Sequence, residues 1–427
     1  MLLARLMNRL IKSGSLTIID YSGRKFHFGD GAPESGVVVR FTDPTLPRKL
    51  FFNGQLHLGQ AYMDGTLHID RGTIYDLLDL ISRNMGFDEE LPFERIGRPL
   101  RTIRRLLQQF NPAERARRNV AHHYDLSGEL YDLFLDSDHQ YSCAYFTDDH
   151  NDIDRAQLEK KRHLASKLYL NEPGLSVLDI GSGWGGMGLY LGAVGQCNVT
   201  GVTLSREQYD VSNRRARDSG LADRVGFQMI DYRNVSGRFD RIVSVGMFEH
   251  VGLPHYRAFF ERIKDLLTDD GVAVIHSIGR MDGPGITNQW IRKHIFPGGY
   301  SPAMSEVMPI IEGCGLWVND VEVLRLHYAE TLRLWRERFV ANWGRAKALY
   351  DERFCRMWEF YLAASEATFR YRGHMVFQIQ LTRTIDALPL TRDYMIDDER
   401  RLADIEKTAL GGAQTTIEDQ QATAKAS

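Results

Sequence analysis

At 427 residues the chain has room for about two to three domains, taking roughly 150 residues for each. Apolar residues make up 43% and charged residues 26%, the mixture of a globular protein, which argues against a disordered, collagenous or disulfide-stapled chain. Lys plus Arg number 53 against 56 Asp plus Glu, a net charge of −3, so a globally basic nucleic-acid binder is disfavoured and attraction to an anionic surface has to come from local patches.

Cys143, Cys197, Cys314 and Cys355 are scattered with no CxxC pair. Neither a metal site nor a disulfide framework is expected, and a reducing cytoplasm fits. The start, MLLARLMNRLIKSG, interleaves Arg5, Arg9 and Lys12 with apolar residues and lacks the uninterrupted apolar run of a signal peptide. No stretch approaches the 18 or more apolar residues of a membrane-spanning helix. The expectation is a cytoplasmic protein that can still lie on the inner face of a membrane.

Residues 1–93 read as a small mixed unit, expected to associate with lipid. An amphipathic start leads to apolar runs at 16–19, 37–41 and 49–58, then to the helical DRGTIYDLLDLISRN. Residues 94–119 follow as RIGRPLRTIRRLLQQFNPAERARRN with flanking residues, where Arg95, Arg98, Arg101, Arg104, Arg105, Arg115, Arg117 and Arg118 face only Glu114, and Leu100, Ile103, Leu107 and Phe110 recur at helical spacing. This basic amphipathic helix has two open readings: an anchor in an anionic lipid interface, or a linker docking its apolar stripe on a neighbouring domain.

Residues 120–395 form the main domain. From about residue 150 helix and strand alternate: a helix at 153–169, then strand-like LSVLDI, NVTGVTL, VGFQMI, FDRIVSVGM and GVAVIHSIG, with helices from Arg206 and at 255–267 between them. Short apolar runs separated by helices predict an α/β fold with a parallel, doubly wound sheet covered on both faces, whose ligand sits at the carboxyl ends of the strands. ITNQWIRKHIF, SPAMSEVMPIIEGCG, LWVNDVEVLRL, helices at 328–348 and 353–369 and a strand in HMVFQIQLTR close the domain. Residues 396–427 read as a helix and a frayed tail.

The strongest local signal is VLDI running into Gly181-Ser182-Gly183-Trp184-Gly185-Gly186. Glycines let a backbone turn tightly and approach a ligand closely. Gly181, Gly183 and Gly186 satisfy GxGxxG, but the second strand ends Gly-Val-Thr203-Leu204-Ser205 with no acid to grip the ribose hydroxyls of NAD, so the chain fails that test. Asp179 directly precedes the loop. VLDIGSGWGG resembles the first motif of class I S-adenosylmethionine-dependent methyltransferases. This implies a Rossmann-like methyltransferase sheet whose loop holds the amino-acid part of the cofactor. After the third strand, Asp231 is placed to accept from the adenine amino group, with Tyr232 or Arg233 over the ring. Asp231 also reads as a plain helix cap.

HHYDLSGELYDLFLDSDHQYSCAYF before the loop, GVTLSREQ after it, FEHVG and IHSIG together resemble the cyclopropane-fatty-acyl-phospholipid synthases and the related mycolic acid cyclopropane synthases, over about residues 120 to 395. The amino-terminal unit points to the phospholipid-acting branch. The resemblance implies transfer of a methylene group from S-adenosylmethionine to the cis double bond of a phospholipid acyl chain, through a carbocation deprotonated by bound bicarbonate. It places the bicarbonate ligands on Cys143, Glu249, His276, Ile278 (through its backbone) and Tyr328. It places the cofactor on Tyr141, Ser142, Gly181, Gly183, Thr203, Leu204 and Gln208, with Asp231, Tyr232 and Arg233. His122, His123 and Tyr124 read as scaffold or cofactor cover, and a zinc role for the histidine pair lacks further ligands at metal spacing. An anionic membrane surface and a second copy of the chain are the implied partners. Two other outcomes stay open: the same scaffold ending in methyl branching or amine methylation, and a non-catalytic lipid-binding protein, whose mark would be a damaged glycine loop.

Overall fold

The computed structural model describes residues 2–85, 128–147 and 152–409. The arginine-rich segment, His122, His123, Tyr124 and the final residues of the chain lie outside the described residues.

The amino-terminal part opens with helix α1 (Leu2–Leu10), followed by β1 (Leu16–Ile19), β2 (Lys25–Phe28), β3 (Val37–Phe41), α2 (Leu46–Met63), β4 (Leu67–Arg71) and α3 (Ile74–Asn84). Its sheet has the order β2-β1-β3-β4. The apolar stripe of α1 is spent inside the protein: Leu3 is buried, and Leu6, Met7 and Leu10 pack against the core. The apolar run at 49–58 lies within α2, which kinks at Asn53 (φ −152°, ψ 70°). Thr73 caps α3 reciprocally: its hydroxyl accepts from the Asp76 amide at 3.1 Å while the Asp76 carboxylate accepts from the Thr73 amide at 2.7 Å. β2 and β4 alternate apolar with polar residues, reading KFHF and LHIDR, but span only 4 and 5 residues.

The second part contains α4 (Gly128–Tyr131), α5 (Ile153–Lys167), β5 (Ser176–Ile180), α6 (Gly186–Ala193), β6 (Asn198–Val202), α7 (Arg206–Asp218), β7 (Val225–Gln228), β8 (Phe239–Val245), α8 (Tyr256–Leu266) and β9 (Leu267–Arg280). It continues with α9 (Gln289–His294), α10 (Met304–Cys314), β10 (Trp317–Leu324), α11 (His327–Ala341), α12 (Trp343–Leu349), α13 (Glu352–Tyr371), β11 (His374–Thr382) and α14 (Asp393–Ala409). The sheet order is β10-β11-β9-β8-β5-β6-β7. Neighbours from β7 through β9 pair in parallel, and β11 pairs antiparallel with both β9 and β10. This is the doubly wound α/β sheet expected from the alternation. Its order reverses between β5 and β8, which opens a crevice beyond their carboxyl ends.

The helix expected at 328–348 is two, α11 and α12. Asn342 divides them by donating its side-chain amide to the Leu133 and Arg338 carbonyls, each at 3.0 Å, the competition with helix hydrogen bonding that asparagine favours.

One hydrophobic cluster runs through both parts of the chain. Gly59 of α2 sits so close to Trp290 of α9 and Phe360 of α13 that a Cβ there would lie 2.5 and 2.7 Å from their rings. The Trp290 indole N–H donates to Met63 Sδ at 3.2 Å, Tyr371 donates to Asp79 at 2.5 Å, and Tyr62 donates to Glu359.

Candidate functional site

The loop after β5 turns because its glycines adopt conformations that side chains resist. Gly181 has φ +80° and Gly183 φ +54°. The Gly181 and Ser182 amides both donate to the Val202 carbonyl, at 2.9 and 3.1 Å, tying the turn to β6. A Cβ on Gly181 would lie 2.8 Å from the Met247 side chain, whereas one on Gly183 would meet nothing within 4 Å. Gly181 is thus a packing and turn glycine, and Gly183 opens its backbone onto free space. Gly181→Ala is expected to destabilise the fold by about 1–3 kcal/mol through strained backbone alone, read from urea unfolding; a loss below a few tenths would show that the turn relaxes out of its left-handed conformation at no cost.

That free space is a cavity at the switch point. Gly181 and Gly183 line it together with Thr203, Leu204 and Gln208 after β6, Asp231, Tyr232 and Arg233 after β7, and Tyr141 and Ser142. All ten residues placed on a cofactor from sequence therefore line one cavity. Thr203 donates to Gln208 Oε1 at 2.7 Å, so these two neutral groups hold each other where an acid is absent. Asp231 fills both of its readings: it caps a 3-10 turn by accepting from the Arg233 amide at 3.0 Å, and it borders the cavity, gripped by the Arg233 guanidinium at 2.8 and 2.5 Å. Tyr232 packs edge-on against Phe259 at 5.5 Å.

The sequence reading left other wall residues without a role. Asp179, His139, Gln140, Trp184, Met247, His250 and His255 also line the cavity. Asp179 is 1% exposed and its Oδ2 has no hydrogen-bond partner. Burial raises its carboxyl to about 7, so the site pays with an unsatisfied acid for keeping an acceptor available. The position of Asp179 before the loop was its only signal.

The five residues placed on an anion are buried or half-buried and are not among those that line the cavity. Cys143 follows Ser142, and Glu249 precedes His250. The contacts join them in two groups. Glu249 Oε1 accepts from the Ile278 amide at 2.6 Å, and the Glu249 carbonyl accepts from the Tyr300 amide at 3.2 Å. Cys143 and Tyr328 belong to the same buried cluster, and their neighbours are joined by the Ala144 amide donating to Thr331 Oγ1 at 3.0 Å. His276 lies two residues before Ile278 on β9, so both side chains share a face.

The electrostatics of these residues favour neutral groups. Burial raises Glu249 to about 7 against the opposing Ile278 amide, and Glu249 Oε2 has no partner. Burial raises the Cys143 thiol, keeping it protonated. Burial first, and then the nearby Lys160 charge, hold His276 well below the ordinary imidazole value. Gln378 faces His276 across β11 and β9, and its amide nitrogen lies 3.2 Å from His276 Nδ1. An amide nitrogen only donates, so Nδ1 accepts and the ring proton sits on Nε2. Nothing in the sequence pattern marked Gln378.

Among the described residues no group of three or more His, Cys, Asp or Glu is arranged to hold a metal ion, and no helix is long and apolar enough to cross a membrane.

Residues 111–379 match the family model described as mycolic acid cyclopropane synthetase. The chain is 36% identical over 390 residues to a probable fatty acid methyltransferase of Pseudomonas putida, covering 88% of this chain and 94% of that one. It is 35% identical over 348 residues to the cyclopropane-fatty-acyl-phospholipid synthase of Escherichia coli K12, covering 82% and 88%. Among solved structures, the crystal structure of a mycolic acid cyclopropane synthase complexed with SAH and CTAB superposes with a TM-score of 0.59 at 33% identity, over 62% of this chain and 97% of that one.

Proposed function

Because this chain belongs to the mycolic acid cyclopropane synthetase family and is an S-adenosylmethionine-dependent methyltransferase, we propose that it closes a cyclopropane ring on the cis double bond of an unsaturated phospholipid acyl chain, with bicarbonate as the base. One observation carries the reading: the buried Glu249 Oε2 has no hydrogen-bond partner, and Glu249 directly precedes His250 of the cavity wall.

The cavity fits S-adenosylmethionine through the open face of Gly183 and the unpartnered Asp179 oxygen, and the five buried or half-buried residues fit a small anion that carries a proton. When bound, S-adenosylmethionine supplies an electrophilic methyl group and bicarbonate a proton acceptor. The residues do the rest. Tyr131 packs edge-on against Tyr141 at 5.5 Å and tilted against Trp184 at 4.9 Å, and the Tyr141 hydroxyl is fixed by that of Tyr361 at 2.9 Å, so the approach to the methyl group would be largely apolar and poor in water. After methyl addition the acyl chain is cationic, and a proton must leave the new methyl group for the ring to close. His276 is a poor base for that proton, because its Nδ1 lone pair already accepts from Gln378 and burial disfavours the imidazolium, and a protonated Cys143 is none. His276 Nε2–H and the Tyr328 hydroxyl would hold the anion as donors, joined by the Cys143 thiol once it turns from the Ala144 carbonyl to which it donates at 3.3 Å. Glu249 Oε2 would accept the hydroxyl proton of bicarbonate, which removes the repulsion of placing an anion beside a carboxylate. The Ile278 amide is already engaged by Glu249, so its part is to aim that carboxylate.

The proposal extends to location. The protein works as a homodimer on the cytoplasmic face of a membrane, with residues 94–119 supplying the anionic-lipid contact, since the apolar stripe of α1 is already covered.

The test is mass spectrometry of unsaturated phospholipid vesicles incubated with the protein and labelled S-adenosylmethionine, with and without bicarbonate. A gain of one CH2 with loss of the double bond, faster with bicarbonate, is expected. The same gain with the alkene retained would replace ring closure by methyl branching, and bicarbonate-independent closure would remove the anion from the scheme.

A further inference from the structure

Helix α5 buries a lysine that the scheme above does not use. Lys160 is 0% exposed, and among the described residues it makes no ion pair. Its ammonium donates to Gln140 Oε1 at 2.6 Å and to Ser142 Oγ at 2.9 Å, both residues of the cavity wall. A buried cation held by neutral oxygens is costly unless something offsets its charge. Asp136 and Asp138 lie within electrostatic reach, but the Asp136 carboxylate accepts from the Asp138 and Gln140 amides and that of Asp138 is held by Lys161 and Arg215.

Lysine has donors only. Ser142 Oγ therefore has to accept from it, and the Ser142 hydroxyl proton is left to donate elsewhere. The Gln140 side chain is tied at both ends, its oxygen to Lys160 and its nitrogen to Asp138 at 3.1 Å. The Ser142 hydroxyl is thus the donor that Lys160 leaves to this wall, polarised by the cation behind it. Asp179, on the same cavity, offers the opposite: a buried acceptor oxygen without a partner. A backed donor and an open carboxylate complement the two charged ends of an α-amino acid.

We propose that Lys160 is a positioning residue for the amino-acid end of S-adenosylmethionine, presenting the Ser142 hydroxyl to the cofactor carboxylate while Asp179 takes the ammonium. The inference rests on the cavity being the cofactor site. Burial lowers Lys160 to about 8 and raises Asp179 to about 7, and a zwitterion bound between them would offset both penalties.

Removal of Lys160 is a clean experiment because the loop has a second support: Gln157 donates to the Gln140 and Ser142 carbonyls at 3.2 and 3.0 Å. Dissociation constants of S-adenosylmethionine and of decarboxylated S-adenosylmethionine are measured by calorimetry on the full chain. Lys160→Met is expected to weaken the carboxylate-bearing cofactor about tenfold or more, the scale of a hydrogen bond to a charged group, and to leave the decarboxylated one within about threefold. Ser142→Ala, a smaller change, should reproduce that selective loss. Equal weakening of both ligands would reduce Lys160 to a structural role, and unchanged affinity for S-adenosylmethionine would remove its role altogether; either overturns the inference. A wild-type protein indifferent to the carboxylate would also overturn it with the cavity assignment intact. Failure to bind S-adenosylmethionine at all would overturn that assignment instead.

Discussion

Replacing Glu249 by glutamine is expected to lower turnover about 10²- to 10⁴-fold, the range for loss of a positioned proton-handling group, while leaving S-adenosylmethionine affinity within about tenfold. The amide oxygen still accepts from Ile278, so the local fold is kept. What disappears is the acceptor at Oε2, which has no other partner. A loss of cofactor affinity beyond tenfold would place Glu249 in the cofactor site. A second signature follows from its titration. Glu249 is raised to about 7 from an ordinary 4.5, so the folded state holds its proton more tightly than the unfolded chain does. Its contribution to stability is complete below pH 4.5 and is lost as pH rises through 7, at most about 3 kcal/mol. In Glu249→Gln the fall of unfolding free energy between pH 5 and 8 should therefore be shallower. It should not vanish, because Asp179 is raised with the same sign.

Trp335→Ala is expected to cost about 3–5 kcal/mol of stability, as for other buried aromatic-to-alanine changes, measured by urea unfolding with an unchanged slope. Trp335 is fully buried on α11, with ring contacts to Tyr141 at 5.2 Å, Tyr328 at 5.9 Å and Phe134 at 6.0 Å. It is the wedge between Tyr141 of the cavity wall and the buried Tyr328. Its indole N–H has no hydrogen-bond partner, so Trp335→Phe should recover most of the loss. A cost below about 1 kcal/mol for alanine would mean that the neighbouring rings close the gap.

Much of the cavity wall was legible in the sequence because it is made by short local devices. A glycine loop directly after a strand and a cap directly after another need no distant partner to announce them, and Gly181 and Asp231 line the cavity together with Thr203, which the family resemblance singled out. The existence of these strands was readable for a related reason: β5, β8 and β11 are rich in apolar residues and buried over most of their length. Lys160 shows where such reading ends. In IDRAQLEKKRHLASK it is one basic residue among several, and only the packing of α5 against the 140–143 segment buries it. Gln378 is likewise a polar residue in an apolar strand until β11 is set beside β9. Asn342 looked like an ordinary helical position because the carbonyl that diverts it belongs to Leu133, 209 residues away.

The seam between α2 and the pair α9 and α13 has an evolutionary side. The shorter mycolic acid cyclopropane synthase aligns along 97% of its own length but only 62% of this chain. A lineage could not shed the amino-terminal part of this protein by deletion alone, because Trp290 and Phe360 lie buried against Gly59 and would emerge as a sticky apolar face. Gene shortening here has to be preceded by polar substitutions at that seam, and gene lengthening followed by apolar ones. The two parts are therefore bound to change in step, each restricting which neutral substitutions the other can accumulate.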